Sequence, residues 1–173
     1  VAQADTALDN VQFTPTDNSG PSGTFTTDIS VTVNDQGGGG EQDVLTATTV
    51  TITRVNDNPS GAGALTTTAL NDNVGASNLF GGLTVSDADA GENDLSLTIT
   101  LTDPSAGTIS GGGFTETGVG TGVYTVAGLT VAQADPALDN VQFPPTDNSG
   151  PSGTFTTDLS VTVNDPGGGG EQD

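Results

Sequence analysis

The sequence predicts an all-β protein, a β-sandwich in tandem repeats of 130 residues. Three observations carry this. Apolar residues recur at every second position, as at Phe25, Thr27, Ile29, Val31 and Val33, and again at Leu95, Leu97, Ile99 and Leu101. A period of two puts one side of a strand inward. Clusters of Gly, Asn, Asp, Ser and Pro separate such segments, as turns separate short strands. Residues 1–43 also recur as residues 131–173, differing only at Thr6/Pro136, Thr14/Pro144, Ile29/Leu159 and Gln36/Pro166. A fixed period marks a repeat architecture.

The elements follow in order. Residues 1–10 read as a short helical turn, repeated at 134–140 with Asp135 as N-cap and Pro136 at the first helical position. Val11 to Phe13 is a short strand ended by Pro15, and Asp17 to Gly23 is a turn by composition. Phe25 to Val33 is a half-buried strand. Gly37–Gly40 is a flexible hairpin loop, beside which Asp35 and Asp43 could hold an ion. Val44 to Val55 is a longer strand. After Pro59 come a weak strand at Leu65–Leu70, a strand at Leu79–Val85, and the strongest one at Leu95–Leu101. A glycine-broken strand at Gly107–Phe114 and a strand at Val123–Leu129 precede the repeat of the opening pattern. A complete unit would hold about seven or eight strands, an ordinary number for a sandwich. The natural unit boundary is Asn58-Pro59. Residues 1–58 then form the C-terminal half of one repeat, and residues 59–173 the next repeat without its final strand.

Charge narrows the function. The chain has 22 acidic residues, one basic residue (Arg54) and a formal net charge of -21. Phosphate binding needs Lys and Arg, so nucleic acid is excluded as a partner. An anionic membrane surface would repel the chain. There is no Cys and no His, which removes disulfides, thiolate sites and the commonest general base. Asp87 and Asp89 could suggest paired acids for glycoside hydrolysis. With six Phe and one Tyr the chain offers little to line a sugar cleft, so no enzyme is expected.

The densest acidic stretch is Asp87-Ala-Asp89-Ala-Gly91-Glu92-Asn93-Asp94. No Lys or Arg is near it in sequence. Hard cations such as calcium take about six to eight oxygen ligands from Asp, Asn, Glu and backbone carbonyls. The stretch therefore reads as a calcium loop, or else as a solvated acidic turn, since Asp, Asn and Gly also favour turns for local reasons. Asn34-Asp35 and Asn164-Asp165, at strand ends before glycines, read as turns.

Asp87-Ala-Asp89-Ala-Gly91-Glu92-Asn93 is similar to the Asp-x-Asp-x-Gly-x-Asn motif of cadherin repeats. Val55-Asn56-Asp57-Asn58-Pro59 is similar to the cadherin interdomain linker. The order of these motifs, with Ala137-Leu138, Phe143-Pro-Pro145 and Val163-Asn164-Asp165 following the acidic loop, resembles the cadherin-like tandem repeats of large bacterial surface proteins. The resemblance implies an Ig/cadherin-like sandwich, strand-incomplete at the chain ends, with Ca2+ held at repeat junctions. It also implies that Asn56, Asp57 and Asn58 are linker ligands, and that Asp87, Asp89 and Asn93 come from the repeat that follows. The cadherin Leu-Asp-Arg-Glu motif is absent. Leu138-Asp139-Asn140 stands closest to it and makes Asp139 a candidate. Asp72, in Asn71-Asp72-Asn73, is the candidate for the acidic residue that cadherins place early in the domain. The expected function is a calcium-stiffened extracellular stalk or extender at a bacterial surface, with neighbouring repeats as partners and no catalysis. One alternative is a self-assembling extracellular filament joined by strand exchange between copies. Another is a carbohydrate- or ice-binding module, for which the Thr-rich stretch 46–53 is the only pointer. High β-propensity explains those threonines more simply.

Overall fold

A computed structural model describes residues 2–16, 23–35, 40–43, 48–65, 68–73, 75–89, 91, 93–147, 156–166 and 170–172. The chain is mostly strands in antiparallel sheets with few helices. It divides into two compact units, Val1–Val55 and Asn56–Asp173.

The first unit opens with helix α1 (Ala2–Asp9). The expected strand from Phe25 to Val33 is broken into β1 (Thr24–Ile29) and β2 (Thr32–Asp35). β2 turns back on β3 (Gly40–Asp43), which forms the hairpin expected around the glycines. β1 pairs antiparallel with β4 (Thr48–Thr53), Phe25 opposite Ile52 and Thr27 opposite Val50. These four residues share the half-buried face of the ribbon. Residues 44–47, expected to begin the last strand, lie outside the described residues. Just past β4, the Arg54 guanidinium lies 5.5 Å from the Phe25 ring centroid, close enough for a cation–π contact.

In the second unit β5 (Ser60–Ala62) pairs with β6 (Thr84–Ser86). The main sheet has five antiparallel strands in the order β11-β10-β7-β9-β8. These are β7 (Leu95–Leu101), β8 (Thr115–Glu116), β9 (Val123–Leu129), β10 (Leu159–Asp165) and β11 (Gly170–Gln172). β7 lies in the middle, and its Leu95, Leu97, Ile99 and Leu101 are all buried as the alternation predicts. Between Leu95 and Leu97 the register with β9 slips by one residue. Gly128, at φ 71°, supplies the left-handed residue that such a bulge needs.

The helical turn expected at 134–140 is a longer helix, α2 (Val131–Asp139), and its start corrects the sequence reading. Thr130 is the N-cap, not Asp135. The Gln133 side-chain oxygen accepts from both the backbone N–H and the hydroxyl of Thr130. Pro136 therefore sits inside the helix, where its missing N–H removes one intrahelical bond. Asp135 instead accepts the Val85 N–H at 2.7 Å and ties α2 to β6. The strand expected at 107–114 is reduced to isolated antiparallel bridges, Gly107 with Pro145 and Ser110 with Gln142, followed by a turn at 111–113. Gly111 and Gly112 have positive φ, and their missing side chains let the backbone approach the Asn140 and Ala137 carbonyls. The weak strand expected at 65–70 is not formed by its described residues, and β5 lies earlier in the chain.

The repeated segment meets different surroundings in its two copies. Leu138 and Val141 are 1% and 0% exposed, and Phe143 is buried with them. They join one core with Phe80, Leu97, Ile109 and Phe114. Their counterparts Leu8 and Val11 are 42% and 72% exposed, and Phe13 is exposed too. Residues 59–130 supply the rest of the core that closes over Leu138, Val141 and Phe143. Leu138→Ala is expected to destabilise the second unit by about 2–5 kcal/mol, whereas Leu8→Ala stays within about 0.5 kcal/mol. Urea denaturation read through Tyr124, the only tyrosine and a core residue of the second unit, measures the first variant, and far-ultraviolet circular dichroism of the chain the second.

A short 3-10 turn, Pro104–Ala106, is capped by Asp103. Hydrogen bonds from the Ser105 hydroxyl and from the Ser105 N–H hold the Asp103 carboxyl below its ordinary pKa. A lowered folded-state pKa stabilises above the unfolded carboxyl value, and the effect is lost as pH falls through the folded one. Ser105→Ala is expected to move the Asp103 titration up toward the ordinary value, as followed by NMR.

Candidate functional site

Strand pairing brings the two acidic motifs together. β5 and β6 are antiparallel with Ser60 opposite Ser86, and their hydroxyls lie 2.8 Å apart. The residues entering β5 and those leaving β6 must therefore sit side by side. Continued by three residues, the register sets Asp57 opposite Asp89. The Asp57 N–H does donate to Asp89 Oδ2, at 2.6 Å. Pro59, fully buried, anchors the entry to β5. On the other side the chain turns at once, because Asp87 Oδ1 accepts the Asp89 N–H at 2.7 Å. Gly91 continues the turn with φ 85°.

A third element reaches the same place. Along β10 the inward positions are Leu159, Val161, Val163 and Asp165, so the alternation that buries Val163 also buries Asp165. The Asn56 side-chain N–H donates to Asp165 Oδ2, and more weakly to the Asp57 carbonyl at 3.4 Å. Asp165 was read from the sequence as a turn residue. Counting its period from Val163 would have placed it inside.

The electrostatics follow from burial. Asp89 is 4% exposed and Asp165 2%. A buried carboxylate is costly unless paired and hydrogen-bonded. This unit contains no Lys, Arg or His, since the chain's one basic residue is Arg54 in the first unit. Asp89 accepts a backbone N–H and Asp165 an amide N–H. Asp89 Oδ1 and Asn56 Oδ1 are buried, and neither has a hydrogen-bond partner among the described residues. Each is an oxygen donor of the kind that hard cations take.

The candidate ligands thus divide. Asn56, Asp57, Asp87 and Asp89 come together, and Asp165 joins them. Asn58, Asp72, Asn93 and Asp139 are exposed. Asp139 ends α2, where its carbonyl accepts from the Asn78 side chain. Glu92 and the side chains of Asp35 and Asp43 lie outside the described residues. Among the described residues, no group of three or more carboxylates is arranged to hold a metal by itself. The oxygens that converge are of mixed kind, carboxylate and amide, which suits calcium chemistry and not that of zinc. Comparison with protein-family models, with curated proteins and with solved structures returns no match.

Asn56→Ala removes a hydrogen bond to a buried carboxylate and is expected to destabilise the second unit by about 1.5–3 kcal/mol in EDTA. Asn56→Asp, which sets carboxylate against carboxylate, is expected to cost at least as much in EDTA. Urea midpoints unchanged in both variants would contradict the role given to Asn56.

Proposed function

We propose that the chain is a segment of a calcium-stiffened extracellular repeat protein, a stalk or extender of a bacterial adhesin or surface fibre, built from Ig/cadherin-like β-sandwich repeats. The observation that carries this reading is the convergence of Asn56 and Asp57 with the buried Asp89 and Asp165. The repeat and the excess of acidic residues support it.

The mechanism is one of charge. Residues 56–58 lead out of one repeat and into the next. Asn56 is held by β10 and Asp57 by the loop after β6. Bound calcium would neutralise the Asp87, Asp89 and Asp165 carboxylates and take the unused oxygens of Asn56 and Asp89. Asn58, Asn93, Asp72 and Asp139 are the exposed candidates for completing such a site. Fixing Asn56 and Asp57 restricts rotation where the chain leaves the preceding repeat. Repeated at every junction, that restriction makes a rod. Neutralisation also relieves the self-repulsion of a chain with net charge -21.

Ion binding to the folded state alone stabilises by mass action, about 2.7 kcal/mol at a hundredfold excess over Kd. A thermal melt of the 173-residue chain is expected to shift upward by several degrees from EDTA to millimolar calcium, and much less with magnesium. Asp89→Asn and Asp165→Asn are each expected to remove most of the shift. A melt indifferent to calcium would leave the cluster as a structural hydrogen-bond network and sink the proposal.

A further inference from the structure

The β5–β6 pair that brings Asp57 to Asp89 is only three residues long. Two strands by themselves are marginal in water, so other contacts must fix their place. Two buried side chains contribute, Pro59 ahead of β5 and Val85 in β6. Opposite Val85 stands Gly61, which has no side chain to pack. A slip of β6 by one residue would turn Val85 out of the core and carry Asp89 away from Asp57.

The backbone of β6 is held from its other side. Val85 donates its N–H to Asp135 Oδ1 at 2.7 Å, so that N–H points away from β5. Among the described residues no strand pairs with this outer edge of β6. Asp135 stands where the carbonyl of a neighbouring strand would stand. Val85 is 8% exposed, and a backbone N–H buried without an acceptor is costly. Asp135 is itself firmly placed, because Ala134, Ala137 and Leu138 of α2 are buried in the core. At the end of α2 the Asn78 side chain donates to the Asp139 carbonyl and accepts the N–H groups of Phe80 and Gly81. The helix therefore holds the chain ahead of β6 as well as β6 itself.

We propose that Asp135 is a positioning residue for the cation site. Through the Val85 N–H it locks the register of β6, and so holds Asp87 and Asp89, the next residues of that chain segment, where Asn56 and Asp57 meet them. It acts through β6 and not as a ligand. The inference rests on the calcium reading of the site. A protein whose binding-competent arrangement is only partly populated binds with an affinity reduced by that fraction. Loss of the Asp135 bond lets β6 sample other arrangements and weakens calcium uptake from a distance. Binding couplings are reciprocal, so calcium in the loop strengthens the hold of Asp135 on Val85 in return. The bond needs an acceptor and not a charge, and an amide oxygen accepts the same N–H.

Amide hydrogen exchange of the 173-residue chain in EDTA reads the positioning before any cation is added. Asp135→Ala is expected to speed exchange at Asp57 and Asp89 about tenfold more than at Ile99, in the central strand, which separates local release from general loss of stability. Asp135→Asn, which keeps the acceptor, is expected to leave exchange near that of the wild type. In equilibrium dialysis Asp135→Ala is expected to bind calcium about tenfold more weakly, and Asp135→Asn within about threefold of the wild type. A wild-type chain that takes up no calcium would remove the calcium reading, and the exchange result would still decide whether Asp135 holds the loop. Undiminished uptake by Asp135→Ala, or loop exchange that rises no more than that of Ile99, would overturn this inference alone. Equal weakening by both variants would assign the effect to charge and overturn it too.

Discussion

Two carboxylates shut away from water in a unit with no basic side chain set the terms for the second unit. Asp89 and Asp165 come from a loop and a strand far apart in sequence, and each is met by the short segment that opens the unit. Asn56 and Asp57 each satisfy one of these buried acids, and burial of a polar group without a partner costs about 1–3 kcal/mol or more. The antiparallel β5–β6 pair makes the meeting obligatory. A strand pair of three residues each thus decides where the linker lies, which acids it meets, and how the chain enters the sheet.

Almost identical sequences behave differently in the two copies because a repeat completes its core from its own first half. Leu138, Val141 and Phe143 are closed over, while Leu8, Val11 and Phe13 are not. Local sequence sets the helix in both. Burial needs residues 59–130.

Much of the fold was legible. The alternation at Leu95–Leu101 stands out because β7 is central and one of its faces is wholly apolar. β9 lies where the strand at Val123–Leu129 was expected. The glycine-rich stretch before Phe114 misled, since its apolar residues pack from a turn whose shape depends on the end of α2. The helix start was missed because Asp-Pro is a strong local signal, and Thr130 with Gln133 outcompetes it. At the site, the two motifs carried by resemblance came together at Asn56, Asp57, Asp87 and Asp89. Asp165 was hidden by its neighbours: Asn-Asp followed by Pro and glycines reads as a turn, and only the strand's period shows that the side chain points inward. The partner of a buried acid is a long-range fact, 109 residues away for Asn56 and Asp165, and no local rule reports it.

The central claim is that these oxygens take up calcium. Equilibrium dialysis of the EDTA-stripped chain against radioactive calcium tests it most directly. The account predicts saturable uptake of at least one ion per chain, which excess magnesium does not displace and which Asp89→Asn and Asp165→Asn each weaken at least tenfold. No uptake at millimolar calcium, or uptake unchanged in both variants, would contradict it.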